Sequence, residues 1–450
     1  MNEFFFYDLE TSGLNPRDAR IMQFAGQRTD ADFNPIGEPV NILVKLNDDT
    51  LPSPQAIMVT KITPQQTLAD GITEAEFAKY VQEELFTPGT CILGYNSVRF
   101  DDEFMRALFW RNFYDPYTWS YADGRTRWDI LDLVRMTRAL RPEGITWPFN
   151  DKGHATNRLE LITQLNGISH EHAHDALSDV YATIAVAKLI KDKQPKLFDY
   201  LYKMRDKREV QKLINLENKQ PFVYTSGRYS AEYNKTTVAF PLAPARNGQI
   251  LVFDLRHNLD DLLDKETFYP IVKTLAYNKC PAVAPLSVLD ADDGWTKIGL
   301  SQDIIDKNLK SLLAHPEFAE QMREQDENSP EFPPAIDAES AIYDGFLSDQ
   351  DRRLCTDVTR LDKDGLADYH PNFTDERLPE LLLHYKARNF ASALSESEQK
   401  QWEKYRLARL NRQATEFTDA LNSLAENTDA DEFIIEELNL WYQSLQPSDL

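Results

Sequence analysis

The chain has 450 residues, enough for about two to four domains, and its 42% apolar and 11% aromatic content is that of a folded protein rather than a disordered one. No run of eighteen apolar residues and no basic-flanked leader is present, so we expect neither a membrane span nor a signal peptide. Cys91, Cys280 and Cys355 are odd in number and far apart, which argues against a disulfide framework and a zinc-binding spacing. We therefore expect a reduced, cytoplasmic protein.

The net charge of −24 argues at first sight against a polyanionic ligand. The charge is unevenly distributed, however, because residues 101–250 contain 22 basic and 19 acidic side chains and form the only basic segment. Ligand binding follows the local field rather than the total charge. Two interpretations stay open: a basic channel in an acidic body, or solvated helix faces.

The run FFFYDLE, from Phe4 to Glu10, predicts a short buried strand. Further strands are predicted at IMQFAGQRTD, NILVKL and CILGYN. Helical spacing is found in TEAEFAKYVQEELF, in the segment that starts near Asp101, and in WDILDLVRMTRAL, RLELITQLNGI and AHDALSDVYATIAVAKLI. Strands that alternate with helices predict an α/β domain with one mixed sheet over residues 1–194.

The pattern changes after Pro195. PFVYTSGRYS, TTVAFPLAP and QILVFDLR are strand-like and predict a small β-rich domain over residues 195–346. Helical spacing returns near residues 301–323, and the acidic, proline-bearing EQDENSPEFPPAIDAES predicts a surface loop. Residues 347–450 have helical patterning throughout and predict a helical C-terminal domain.

Two carboxylates end the first strand. Asp8 and Glu10 are two positions apart, so their side chains share one face of a strand. Ligands bind at the carboxyl ends of strands in α/β sheets. Adjacent carboxylates repel each other and require a shared proton or a cation, for which Mg²⁺ or Mn²⁺ is suited. For this pair alone, a solvated strand end is the better interpretation.

A second acidic cluster, Asp101-Asp102-Glu103, lies at a predicted helix start, where acids commonly cap N–H groups. A third cluster, HEHAHDALSDV, precedes and enters a helix. In it Asp175 and Asp179 share a helix face, and their spacing alone does not choose between them. The H-x-H-x-H pattern without cysteines is weak support for zinc.

Considered together, the three clusters predict more than each does alone. Four carboxylates from three separated segments can hold two divalent ions that clamp the attacking and leaving oxygens of a phosphoryl displacement. A nearby histidine can act as the base for an attacking water.

DLETSG, NSVRFDDE and HDALSDVYAT, in this order, resemble the three motifs of the DEDDh 3′→5′ exonuclease superfamily. CILGYNSVRFDDE, RNFYDPYTWS, LRPEGITWP, QPKLFDYL and LLLHYKARNF extend the likeness, so that nearly the whole chain resembles the bacterial exodeoxyribonuclease I family. The first motif departs from the common D-x-E-T-T-G only in Ser12, which keeps a hydroxyl group.

The resemblance implies a set of site residues. It implies the metal ligands Asp8, Glu10, Asp101 and Asp179, and the general base His174. It makes Asp102 a neighbour or helix cap. His170 and His172 match nothing in the motifs, and we expect them at the surface.

The resemblance also implies an activity and an architecture. It implies processive 3′→5′ digestion of single-stranded DNA to 5′-mononucleotides in repair and recombination, with two Mg²⁺ ions for which Mn²⁺ can substitute. It implies a ribonuclease-H-like exonuclease domain, an SH3-like barrel with inserted helices and a helical C-terminal domain, arranged as a clamp in a monomer. The alternatives are a 3′→5′ exoribonuclease and a non-catalytic scaffold that binds single strands.

The resemblance further implies contacts to substrate and partner. For the DNA strand it implies contacts from Glu10, Arg158, Arg106, Tyr117, Tyr121 and Arg135, although half-buried core positions are the alternative for the tyrosines. For the acidic C-terminal tail of single-stranded DNA-binding protein it implies contacts from Arg141 and Tyr200.

Overall fold

The computed structural model describes residues 3–170, 175–263, 268, 271–329, 334–428 and 430–446. Along the chain it consists of a mixed sheet with helices, an antiparallel sheet with three helices, and a helical C-terminal part. None of the helices in these ranges is both long enough and apolar enough to cross a bilayer.

The first sheet has five strands in the order β3-β2-β1-β4-β5. The strands are β1 (Phe4–Thr11), β2 (Ile21–Thr29), β3 (Val40–Leu43), β4 (Cys91–Gly94) and β5 (Thr126–Asp129). β1 pairs antiparallel with β2 and parallel with β4, which itself pairs parallel with β5. The predicted mixed sheet is confirmed.

Strand β1 lies at the centre of this sheet and is buried on both faces. Phe4 and Phe6 pack into one hydrophobic core, whereas Phe5 and Tyr7 pack into a second core on the opposite face. This alternation explains why four aromatic residues follow one another, since successive side chains of a strand point to opposite faces. Asp8 continues the face of Phe4 and Phe6.

The described residues of the first part form nine α-helices. They are α1 (Pro54–Thr60), α2 (Pro64–Asp70), α3 (Glu74–Tyr80), α4 (Asp101–Arg111), α5 (Ile130–Leu140), α6 (Leu159–Leu165), α7 (Ala176–Lys193), α8 (Pro195–Lys203) and α9 (Lys207–Leu213). Helix α3 begins at a capping box in which Thr73 and Glu76 satisfy each other's backbone N–H groups, and it continues into a π-helical turn over Val81–Leu85. Helix α7 packs across β1 and β2.

The second sheet is antiparallel, in the order β10-β6-β7-β8-β9. Its strands are β6 (Phe222–Thr225), β7 (Thr236–Ala245), β8 (Gln249–Asp254), β9 (Val272–Leu275) and β10 (Ala282–Pro285), followed by α10 (Gly294–Lys297), α11 (Gln302–Ala314) and α12 (Glu317–Glu327). The predicted β-rich second domain is confirmed. The predicted boundary at 194/195 stays a prediction, because Leu197 and Phe198 share a core with Phe4.

The C-terminal part is helical at every regular element between residues 334 and 446 that the structure describes, as predicted. Its helices are α13 (Asp349–Val358), α14 (Lys363–Ala367), α15 (Arg377–Asn389), α16 (Glu396–Ala425) and α17 (Glu432–Leu445). Helices α16 and α17 pack on α1, where Leu410 and Leu438 share a core with Ile57. The boundary predicted at 346/347 likewise stays a prediction.

Candidate active site

Three carboxylates meet at the end of β1. Asp8 and Glu10 lie on the face of β1 that α7 crosses, and Asp179 lies in the first turn of α7. One ligand oxygen from each of the three lies within 4.8 Å of the others. We refer to these three residues as the carboxylate cluster. The shared face that the sequence predicts for Asp8 and Glu10 places both beside the start of α7.

Asp101 reaches the same region through a close approach between β4 and β1. Strand β4 ends at Gly94, where an added Cβ would lie 2.6 Å from the carbonyl oxygen of Tyr7, so a larger residue would push the strands apart. The chain then turns into α4, whose first residue, Asp101, is buried. Asp101 lies close enough to Asp8 to raise the pKa of that carboxyl group.

The loop that leads to Asp101 is held by acids from β5 and α5. The two carboxylate oxygens of Asp129 accept from the backbone N–H of Asn96 at 3.0 Å and of Val98 at 3.3 Å. Arg99 donates to Asp132 at 2.9 Å. These bonds fix residues 96–99 and so fix the start of α4.

Burial and mutual repulsion destabilise the anionic forms of these acids. The pKa of Asp8 is raised well above its usual value by burial and then by Asp101, Glu10 and Asp179. The pKa of Glu10 is raised to about 8, first by burial and then by Asp179 and Asp175. Burial also raises the pKa of Asp101. A divalent cation removes this repulsion, and clustered carboxylate oxygens are the ligands that hard cations prefer. The cluster is therefore a metal-binding acidic site.

Asp102 anchors α4 and does not cap it. Its Oδ1 accepts from the Tyr7 hydroxyl at 2.8 Å, and its Oδ2 accepts from Arg127 at 2.6 Å. Arg127 also donates to the carbonyl of Asn278 at 2.7 Å and thereby joins the second domain to this anchor. The predicted role as a neighbour of Asp101 is borne out geometrically, whereas the helix-cap alternative is not.

The histidines of the third motif differ from one another. His172 and the predicted base His174 lie outside the described residues. The expectation that His170 is a surface residue is wrong: only 3% of its side chain is exposed, and its Nε2 lies 2.6 Å from Asp179 Oδ1. Polar partners in α6 and α7 make this burial possible. Asp175 caps α7 by accepting from the Ser178 N–H at 3.0 Å.

The predicted DNA contacts are distributed around α4, α5 and α6 rather than gathered in the cluster. Arg158 directly precedes α6, and its exposed side chain pairs with Glu160. Arg106 and Arg135 are mostly covered and pair with Glu103 at 2.6 Å and Asp132 at 2.7 Å respectively. Tyr117 is half-buried, and Tyr121 is exposed.

Sequence reasoning missed two aromatic residues beside these positions, Phe346 and Tyr343. The Phe346 ring is 82% exposed, and its centroid lies 5.8 Å from that of Tyr117. Glu103 accepts from the Tyr343 hydroxyl. The sequence offered one indication of these residues, the aromatic side chains of YDGF that closely follow an acidic, proline-bearing loop. Nothing in the sequence indicates where that segment lies in the fold.

The two residues predicted to bind a partner lie where the first and second domains meet. Arg141 follows α5, donates to the carbonyl of Val288 at 3.2 Å and pairs with exposed Asp292 at 3.2 Å. Tyr200 on α8 is half-buried and packs against cores of both domains. Burial raises the pKa of Tyr200 to about 12.

Comparison with known proteins agrees with this architecture. Family models match an exonuclease domain over residues 5–187, an exonuclease I SH3-like domain over residues 205–325 and an exonuclease I C-terminal domain over residues 336–445. The exodeoxyribonuclease I of Haemophilus influenzae is 41% identical over 94% of this chain and 94% of its own.

Solved structures give the same likeness over the whole fold. E. coli exonuclease I in complex with a dA16 oligonucleotide has a TM-score of 0.93 and 37% identity, and the match covers 99% of this chain and 100% of that one. The zinc-bound E. coli complex with single-stranded DNA has a TM-score of 0.92 at 37% identity, over 99% of this chain and 98% of that one. The ribonuclease-H-like, SH3-like and helical order predicted from the sequence is confirmed. With three matched domains in the predicted order and a full-length relative, the chain belongs to the exodeoxyribonuclease I family of nucleases.

Proposed function

We propose that the chain is a 3′→5′ exodeoxyribonuclease that removes 5′-mononucleotides from single-stranded DNA. The observation that carries this proposal is the carboxylate cluster of Asp8, Glu10 and Asp179, with buried Asp101 beside it. The relatives support the substrate, since the E. coli enzyme has been crystallised with a dA16 oligonucleotide.

In this proposal Asp8, Glu10, Asp101 and Asp179 hold two Mg²⁺ ions, for which Mn²⁺ can substitute. Bound divalent ions polarise the scissile phosphate and stabilise the attacking and leaving oxygens of the displacement. The chain supplies rigidity: β1 fixes two of the acids on one face, and the Tyr7–Asp102–Arg127 bonds hold the start of α4 beside them. Glu10 is also a proposed contact to the DNA substrate.

His174 is the proposed general base that takes the proton of the attacking water. It directly precedes Asp175, whose capping bond to Ser178 fixes the first residues of α7.

Arginines and aromatic rings near α4 form the proposed path of the DNA strand. Arg158, Arg106 and Arg135 neutralise phosphates, and Tyr121 stacks on bases through its exposed ring. Phe346 extends the aromatic surface of Tyr117, and such stacking does not depend on base identity. This path passes between the exonuclease domain and the C-terminal part, an arrangement that favours processive digestion by a monomer.

The same family supports a role in DNA repair and recombination in the cytoplasm. The free thiols Cys91, Cys280 and Cys355 are all buried, which is compatible with a reducing compartment.

The acidic C-terminal tail of single-stranded DNA-binding protein is the proposed protein partner. Arg141 already pairs with Asp292, an exposed carboxylate that a tail carboxylate can replace. We expect Arg141→Ala to weaken binding of a synthetic acidic tail peptide at least about tenfold, as measured by calorimetry. Arg352→Ala, which removes an exposed arginine of α13, serves as the control, and equal effects of both variants would contradict the assignment.

Digestion of matched 3′-labelled and 5′-labelled oligonucleotides tests the main activity. We expect labelled mononucleotide to appear first from the 3′ end of single-stranded DNA, and more slowly from RNA or from blunt duplex. Faster loss of RNA would instead establish an exoribonuclease.

The metal assignment is tested with Asp179→Asn, which should abolish hydrolysis while oligonucleotide binding in EDTA survives. Asp192→Asn, at the exposed far end of the same helix, should retain full activity. Binding without hydrolysis in the wild-type protein, at any Mg²⁺ or Mn²⁺ concentration, would point to a non-catalytic scaffold.

A further inference from the structure

His170 contacts Asp179 from outside the carboxylate cluster. Its side chain is almost fully covered, and its Nε2 lies 2.6 Å from Asp179 Oδ1. On the other side of the ring, Nδ1 lies 3.2 Å from Thr163 Oγ1. None of the sequence motifs assigns His170 a role.

Thr163 provides a rigid support for the imidazole ring. It is completely buried in α6, and its hydroxyl lies 2.9 Å from the carbonyl of Glu160 and 3.1 Å from that of Leu159. A carboxylate oxygen can only accept, so the ring carries a proton on Nε2 whether Nδ1 accepts from Thr163 or donates to it. In either form His170 donates to Asp179.

This donation restrains the orientation of the Asp179 carboxylate. Rotation of a carboxylate about its last side-chain bond is broad, so the backbone of α7 alone does not fix the direction of the two oxygens. A hydrogen bond from a buried, supported ring to Oδ1 fixes the carboxylate plane, and the group's ligand oxygen lies within 4.8 Å of those of Asp8 and Glu10.

We propose that His170 is a positioning residue for the divalent metal: through Nε2–H it orients the Asp179 carboxylate toward Asp8 and Glu10. This inference rests on the proposed metal-dependent function. Helix α6, which carries Thr163, begins directly after Arg158, a proposed contact to the DNA. The Thr163–His170–Asp179 chain thus couples the helix behind a proposed nucleotide contact to a proposed metal ligand.

The test measures Mn²⁺ affinity of the full-length protein without DNA, by electron paramagnetic resonance of free and bound ion. Loss of a bond that orients a metal ligand typically costs about 10- to 100-fold in metal affinity. We expect His170→Ala to weaken Mn²⁺ binding by that factor. His170→Gln, whose amide N–H can reach the same oxygen, should recover most of it. Excess Mn²⁺ should restore kcat in His170→Ala, with KM for oligonucleotide unchanged.

A matched control is available on the second domain. His315 Nε2 lies 2.8 Å from Asp260 Oδ1, which is the same pair of groups at a similar distance but away from the cluster. We expect His315→Ala to leave Mn²⁺ affinity unchanged. If His170→Ala fails to fold, His170→Asn replaces it, because its shorter amide does not reach Asp179 Oδ1 and the same loss of Mn²⁺ affinity is expected. Thr163→Val should weaken Mn²⁺ binding less than tenfold because Nε2 still donates.

Three outcomes would overturn the inference. Unchanged Mn²⁺ affinity in His170→Ala, with reduced affinity in Asp179→Asn, refutes the role of His170 and leaves the proposed function standing. Unchanged affinity in Asp179→Asn refutes the metal assignment and the proposed function together. A directly coordinated nitrogen in the Mn²⁺ spin-echo spectrum that disappears in His170→Gln would make His170 a metal ligand and not a positioning residue.

Discussion

The Tyr343 hydroxyl donates a hydrogen bond to Glu103, a residue 240 positions earlier in the chain. Glu103 lies in the first turn of α4, two residues after Asp101, and also accepts from Arg106 at 2.6 Å. Lys279 of the second domain lies 3.4 Å from the same carboxylate. One carboxylate therefore bridges the first and second domains and the segment that leads into the C-terminal part, directly beside the proposed metal site.

Loss of this bridge should make digestion less processive. A hydrogen bond to a charged group contributes about 1.5–3 kcal/mol, so Tyr343→Phe should raise the population of the open bridge by about tenfold or more. We expect fewer nucleotides to be removed per binding event on long single strands, measured with an excess of unlabelled trap DNA. The initial rate on a short oligonucleotide should change less than about twofold.

Tyr369→Phe is the control for this prediction, because it removes a phenolic hydroxyl within the C-terminal part that donates to the nearby carbonyl of Leu354. If wild type and Tyr343→Phe remove the same number of nucleotides per binding event, the bridge does not limit processivity.

A buried ion network should dominate the docking of the C-terminal part. Arg388 of α15 donates to Asp49 at 2.6 Å and pairs with Glu339, and all three side chains are at most 2% exposed. Removal of one member leaves uncompensated buried charge, which typically costs about 3–5 kcal/mol. We expect Arg388→Met to lower the free energy of unfolding by about that amount, as measured by urea denaturation.

The exposed pair of Arg352 and Asp349 provides the comparison, since such surface pairs contribute about 0–1 kcal/mol. A similar loss of unfolding free energy in Arg352→Met and Arg388→Met would mean that the buried network does not hold the domains together.

The pH dependence of stability should reveal the raised pKa of the clustered carboxylates. The pKa of Glu10 rises from 4.5 to about 8 on folding, so between these values the folded protein holds a proton that the unfolded chain has released. Stability in EDTA should therefore fall as the pH rises from about 4.5 to 8. Glu10→Gln should raise Tm by a few degrees at pH 8, and this gain should shrink toward pH 5.

Mn²⁺ should raise the Tm of the wild type at pH 8 more than that of Glu10→Gln, because the ion replaces the missing proton. If the variant gained as much Tm at pH 5 as at pH 8, the effect would come from packing and not from charge.

Local patterns were enough to predict the part of the site that lies within single elements. The aromatic run that starts at Phe4 is a two-faced central strand, and strand periodicity alone places Asp8 and Glu10 on one face. The burial of His170 was not predictable, because it depends on one partner in α6 and another in α7. The contact between Glu103 and Tyr343 depends on how separate domains dock, which no local spacing encodes.

Salt dependence should show whether a strongly acidic protein, with net charge −24, presents a locally basic path to DNA. Each phosphate neutralised on a single strand contributes about −0.7 to the slope of log affinity against log salt concentration. The Arg158 side chain is 64% exposed and pairs with Glu160 on the surface, so it can turn toward a phosphate. We expect Arg158→Ala to make the slope for an oligo-dT strand in EDTA shallower by about 0.7. Arg323→Ala, an arginine that also pairs with glutamates but lies on α12, should leave the slope unchanged. A wild-type affinity that does not change with salt would place the strand on a surface other than the one that Arg158 borders.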